Sequence, residues 1–186
     1  MKYIKLFENY NKEDIDSICR KYGIKNYTIN SDGSIDVNGD VWLDEKNLTK
    51  LPLKFNKVNG WFDCSVNRLT SLDGCPKEVI GSFYCYDNNN ITSLIGCPER
   101  VGGNFDCRGN NIRDFEGFPK HIGGGFYCGG SPVYKVWRLF KDKDKIELFN
   151  DYDIIRDDVI IMDRLNDFLI EIGKPTVTEV KGYKCI

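Results

Sequence analysis

Cysteine is the residue type in this chain best equipped for chemistry, and eight are present. Thiolates bind zinc or attack electrophiles, but both tasks need a particular grouping: a C-x-x-C pair, or a thiol with a histidine to activate it. No C-x-x-C occurs. Cys64, Cys85, Cys107 and Cys128 instead recur at wide, nearly constant intervals, and Cys75 and Cys97 form a second column that Phe118 continues with a plain apolar side chain. A ligand set does not survive that replacement. These residues are expected to be buried thiols acting as small apolar groups, with no metal and no cofactor. His121 is the only histidine, and its stretch Lys120-His121-Ile122-Gly123 is equivalent to Lys77-Glu78-Val79-Ile80 and Glu99-Arg100-Val101-Gly102, so its counterparts are surface charges. Gly123-Gly124-Gly125 lacks the Gly-Lys-Ser/Thr ending of a phosphate loop. No carboxylate pair stands out for acid–base work, and the chain is expected not to be an enzyme.

The same spacing runs through other residue types. A glycine column, Gly39, Gly60, Gly81, Gly103 and Gly124, advances in steps of 21, 21, 22 and 21. Val41, Phe62, Phe83, Phe105 and Phe126 follow two residues on, then Leu43 and the four cysteines, then Leu48, Leu69, Ile91, Ile112 and Val133, then Leu51, Leu72, Leu94, Phe115 and Val136. A further column, Val58, Val79, Val101 and Ile122, comes seven residues later. Each copy reads approximately G-x-F-x-C-x-x-N-x-L-x-x-L-x-G-C-P. A single copy cannot bury its apolar edge alone, so copies must stack and share a core.

The pattern F-x-C-x-x-N-x-L resembles the leucine-rich repeat consensus, with Phe and Cys in place of the strand leucines, and its short pitch with Pro76, Pro98 and Pro119 is most similar to the shortest bacterial leucine-rich repeats. The resemblance implies a repeat solenoid of about five coils over residues 39–137, with a short parallel β-sheet on its concave face. It also implies that the side-chain amides of Asn67, Asn88 and Asn110 bond to the backbone of the adjacent coil. Lys46 and Ser131 occupy that position in the terminal copies.

The flanks lack the repeat and read as mixed α/β caps. Residues 1–38 form the N-terminal cap. Asn11 before Ile15, Ile18, Cys19 and Tyr22, with Gly23 as a stop, predicts a short capped helix. Segments 27–30 and 34–37 around Asp32-Gly33 predict a hairpin whose second strand lies beside the first repeat strand. Residues 138–186 form a helical C-terminal cap. Residues 133–140 are helix-like, 159–172 match an amphipathic helix ended by Gly173 and Pro175, and 176–186 suit a last short strand.

Alternation along each repeat strand sends the intervening residues outward. The central outward column is then Trp42, Asp63, Tyr84, Asp106 and Tyr127, flanked by Trp61, Ser82 and Asn104 on one side and Ser65, Tyr86 and Arg108 on the other. Exposed aromatics interleaved with carboxylates supply recognition anchors, and Trp42, Trp61, Asp63, Tyr84, Tyr86, Asp106, Arg108 and Tyr127 are the candidate partner-binding residues. Cross-strand stacking that merely stabilises the sheet is the competing reading.

Twenty-six basic and 28 acidic residues give a formal charge of −2, which leaves no footprint for nucleic acid or an anionic membrane. The opening residues 1–8 lack the apolar stretch of a secretory signal, and a cytoplasmic location is expected. They resemble the openings of proteins from large tailed phages, and the repeats resemble leucine-rich-like phage proteins. Leu6-Phe7-Glu8 also matches the Ile/Leu-x-Glu pattern cut by the T-even prohead protease. Equally, Tyr3, Ile4, Leu6, Phe7 and Tyr10 suit a segment packed on the end of the stack. The resulting expectation is a protein-binding module that captures a host or phage protein, with antagonism of host defence as one use. A virion-associated internal protein and a small-ligand sequestering protein are the alternatives.

Overall fold

Asn11 starts the first helix, α1 (Lys12–Tyr22), through a reciprocal pair of bonds. Its side-chain oxygen accepts from the Asp14 amide at 3.0 Å, and the Asp14 carboxylate accepts from the Asn11 amide at 3.2 Å. Gly23, at φ 69°, ends the helix in the left-handed region that glycine enters without strain. The structure, a computed structural model, describes residues 11–186. The expected packing of the opening aromatic segment and the Leu6-Phe7-Glu8 match lie outside the described residues.

Short strands follow in chain order: β1 (Tyr27–Ile29), β2 (Ile35–Val37), β3 (Val41–Trp42), β4 (Phe55–Val58), β5 (Phe62–Asp63), β6 (Glu78–Val79), β7 (Phe83–Tyr84), β8 (Arg100–Val101), β9 (Phe105–Asp106), β10 (His121–Ile122) and β11 (Phe126–Tyr127). They sort into two sheets. One has the order β1-β2-β4-β6-β8-β10, and the other β11-β9-β7-β5-β3. All pairings among these strands are parallel except the β1–β2 hairpin. The result is an α/β chain dominated by parallel sheets, with few helices.

Register turns the sequence columns into physical stacks. Val41 pairs with Phe62, Phe62 with Phe83, Phe83 with Phe105 and Phe105 with Phe126. The phenylalanine rings pile up with centroids 5.7, 5.3 and 5.6 Å apart, and Phe62, Phe83 and Phe105 are wholly buried. Tilted and edge-to-face pairs at such spacing contribute about 0.5–1.5 kcal/mol beyond area burial. The glycine column permits this approach at the bend: a Cβ on Gly60 would lie 2.6 Å from the Gly39 carbonyl, and one on Gly81 would lie 2.7 Å from the Gly60 oxygen.

The asparagines bind one repeat to the next. Asn88 donates to the Cys64 and Cys85 carbonyls, both at 3.1 Å, and accepts from the Leu69 amide at 3.0 Å. Asn67 and Asn110 make equivalent bonds to Leu43 and to Cys85 at 2.7 and 2.9 Å. Each amide serves groups that bend away from the sheets and would otherwise be buried unpaired. Ser131, in the last copy, is too short to do this, and its hydroxyl is buried without a partner among the described residues.

Two expectations need correction. The second hairpin strand, β2, does not lie beside the first repeat strand β3. It pairs with β4 and extends the other sheet, because Val37 continues the column Val58, Val79, Val101 and Ile122. That column belongs to a second row of strands. The region after residue 133 also differs from expectation at the start of its last helix. It holds α2 (Tyr134–Phe140), α3 (Ile146–Asp151), β12 (Ile155–Arg156), β13 (Val159–Ile160), α4 (Met162–Glu171) and β14 (Lys184–Cys185). The helix expected over 159–172 begins only at Met162, since Val159 and Ile160 join a small sheet between β12 and β14. The β-branched run Val159-Ile160-Ile161 suits a strand better than a helix. The aromatic stack continues into this region through Phe126–Trp137 at 5.1 Å, Trp137–Phe140 at 5.4 Å and Phe140–Phe168 at 5.3 Å.

Replacing Asn88 strands the buried Leu69 amide and removes one of two amide donors from each of the Cys64 and Cys85 carbonyls, which keep their bonds from Asn67 and Asn110. Asn88→Ala should therefore lose about 2 kcal/mol or more in urea unfolding, whereas Asn111→Ala, at an exposed site, should stay within about 0.5 kcal/mol of wild type.

Candidate interaction face

The interior side of the five-stranded sheet is occupied by Val41 and the phenylalanines, so alternation turns the next residue of each strand outward. Trp42, Asp63, Tyr84, Asp106 and Tyr127 accordingly lie side by side in register across β3, β5, β7, β9 and β11. Trp42, Trp61 and Tyr127 are 45%, 48% and 46% exposed. Four rings are joined edge to face: Trp42 to Trp61 at 6.0 Å, Trp61 to Tyr84 at 6.3 Å and Tyr84 to Tyr86 at 6.5 Å. Arg108 completes the row, its guanidinium 5.8 Å from the Tyr127 ring centre. The structure thus brings the six aromatic and cationic candidates onto one face.

The two carboxylates behave differently from expectation. Asp63 and Asp106 are buried, 8% and 5% exposed, although their strand positions point outward. Each is flanked in register by aromatic residues, Asp63 by Trp42 and Tyr84 and Asp106 by Tyr84 and Tyr127. Burial pushes the Asp63 carboxyl above its usual range, against the opposing effect of bonds from Ser65. Asp106 is held instead by the fork of Arg108, with Nη2 2.7 Å from Oδ2.

The flanking column also has a role that the sequence pattern did not reveal. Asp40 accepts from the Trp61 amide at 2.8 Å, Ser82 from the Asn104 amide at 3.0 Å and Asn104 from the Gly125 amide at 2.8 Å. These side chains tie the bend of one repeat to the next, so they are structural. Trp61 breaks the series and presents an exposed ring instead.

The outward column of the six-stranded sheet offers a contrast. Asp36, Lys57, Glu78 and Arg100 lie in register, with Lys57 2.9 Å and Arg100 3.8 Å from the two Glu78 oxygens. That face answers its own charges; the aromatic face leaves its rings uncovered.

The thiols are placed for packing. All eight cysteines are free, and burial raises the thiols of Cys75, Cys85 and Cys107 well above the ordinary value and that of Cys128 to about 12. Thiols so shifted are poor nucleophiles at neutral pH. Among the described residues, no group of three or more His, Cys, Asp or Glu side chains could hold a metal ion, and no helix is long and apolar enough to cross a membrane.

Two outcomes are expected. Because the folded Asp63 carboxyl titrates above its unfolded value, its ionised form costs stability above that raised value, and the cost fades as pH falls through it. Asp63→Asn should therefore melt higher than wild type at pH 7, the gap closing on acidification. In native protein exposed to iodoacetamide, Cys185, which is only partly buried, should be alkylated before Cys85 and Cys107, as read by peptide mass mapping. No protein-family model, curated protein or solved structure matches this chain.

Proposed function

We propose that this chain is a non-enzymatic protein-binding module, a leucine-rich-repeat-like solenoid that captures a protein on the aromatic face of its five-stranded sheet. The observation that carries the proposal is the uncovered ring series of Trp42, Trp61, Tyr84, Tyr86 and Tyr127, three of whose members are nearly half exposed. Rings of this kind bury large areas against a partner at low entropy cost, with polar edges to fix orientation. The sheet does not need them for its own cohesion, since the interior phenylalanines already supply aromatic stacking.

The solenoid reading is supported by a register that advances by one sequence repeat at each step in both rows of strands, together with the asparagine bonds between repeats. In the leucine-rich family the corresponding sheet lines the concave face, which is habitually the binding surface. Resemblance of the opening residues and of the repeats to tailed-phage proteins supports a host or phage protein as the partner, with antagonism of host defence as one use. A cytoplasmic setting follows from the same reading.

The test is affinity capture from a bacterial host, comparing wild type with the Trp42→Ala/Tyr84→Ala/Tyr127→Ala variant after confirming that both melt cooperatively. Recovery of specific partners should fall by about tenfold or more, as loss of several aromatic anchors implies. Equal recovery by both proteins would remove this face from the account.

A further inference from the structure

Asp63 and Asp106 occupy equivalent positions two strands apart, and their surroundings differ chiefly in one residue. Two places after Asp106 stands Arg108. Its Nε donates to both Asp106 oxygens at 3.0 Å, its Nη2 donates to Oδ2 at 2.7 Å, and its guanidinium lies beside the Tyr127 ring. Two places after Asp63 stands Ser65, whose amide, at 2.8 Å, and hydroxyl both donate to Oδ1. Oδ2 of Asp63 receives no hydrogen bond from a described residue, and 8% of the Asp63 surface stays exposed. No described lysine or arginine pairs with this carboxylate. Asp63 is therefore a largely buried acid in register between Trp42 and Tyr84, without, among the described residues, the cation that its counterpart possesses.

We infer that Asp63 is the anchor for an arginine side chain of the protein partner, which takes at Asp63 the place that Arg108 fills at Asp106. This rests on the reading of the aromatic face as protein-binding and specifies the partner's chemistry. The outward columns carry Asp40, Asp44, Asp63 and Asp106 against Arg108 alone, and Arg108 is already engaged by Asp106. Charge complementarity thus favours a cation. Guanidinium fits better than ammonium because its planar fork reaches a carboxylate while its face lies against aromatic rings. The chain displays that arrangement internally at Asp106, Arg108 and Tyr127. The raised titration of Asp63 agrees with a carboxylate still lacking its counter-ion.

The probe is the peptide acetyl-(Gly-Arg)6-amide, with lysine and citrulline counterparts of the same length, titrated against the full chain while tryptophan fluorescence is followed. Trp42 and Trp61 border the site, and citrulline keeps the shape of arginine without its charge. The arginine peptide should bind at least about fivefold more tightly than the lysine peptide and the citrulline peptide should not bind, reflecting the bidentate charged contact. Asp63→Asn, which removes the charge, and Ser65→Arg, which supplies an internal arginine, should each weaken arginine-peptide binding by about tenfold or more, while Glu116→Gln, at an exposed site elsewhere, should not. Circular dichroism melts establish that each variant is folded. Equal binding of the arginine and lysine peptides, binding of the citrulline peptide, or wild-type affinity in both Asp63→Asn and Ser65→Arg would overturn the inference. If the captured partner is lost by the triple aromatic variant yet retained by Asp63→Asn and Ser65→Arg, the arginine anchor falls and the binding face stands. Retention by all three variants removes both.

Discussion

In-register parallel stacking sets equivalent side chains of successive repeats roughly 5 Å apart, and the rest of the structure answers to that spacing. Groups that attract their own kind can form unbroken columns: phenylalanine on phenylalanine, thiol on thiol, glycine bend on glycine bend, and asparagine amides bridging carbonyls above and below. Groups that repel their own kind cannot. Like charges at that separation cost energy even at a wet surface, so each outward column must alternate.

The two sheets resolve that constraint differently. The six-stranded sheet alternates sign along Asp36, Lys57, Glu78 and Arg100, and is thereby self-complementary. The five-stranded sheet alternates acid with aromatic, so that Tyr84 separates Asp63 from Asp106. Spacing the acids with rings avoids repulsion without supplying counter-charges. The consequence is a face with uncovered apolar area and carboxylates that only Arg108, within the outward columns, begins to neutralise. A surface of this composition gains more from a visitor than one whose charges are already matched.

Much of this is legible in the residues because the repeat period and the two-residue alternation of a strand are both properties of sequence spacing. The phenylalanine, cysteine and asparagine columns, the α1 cap at Asn11 and Gly23, and the outward placement of Trp42, Trp61 and Tyr127 all follow from counting. Other features do not. Val58, Val79, Val101 and Ile122 are visible as a column, yet strands of two to four residues have too little alternation of their own to mark them as a second sheet, and the expected place of β2 falls in the wrong row as a result. The helix expected over 159–172 is too long because Ile160 and Ile161 fit helical spacing equally well. Val159 and Ile160 are claimed by two strands: β12, just across the turn at Asp157 and Asp158, and β14, at the far end of the cap beyond the whole of α4.

Which side chains share a column, and which of them tolerate stacking on their own kind, can be read from the residues alone, since both depend only on period and side-chain chemistry. How deep each outward side chain lies is settled only when the repeats come together. Asp63 and Asp106 occupy outward positions by alternation but are buried, in register between aromatic residues of neighbouring strands, and Asp106 is bonded by an arginine where Asp63 is bonded by a serine. The arginine and the serine stand only two residues on from their acids, but the depth at which each acid lies depends on groups brought alongside from the preceding and following repeats, which no local reading of a strand contains.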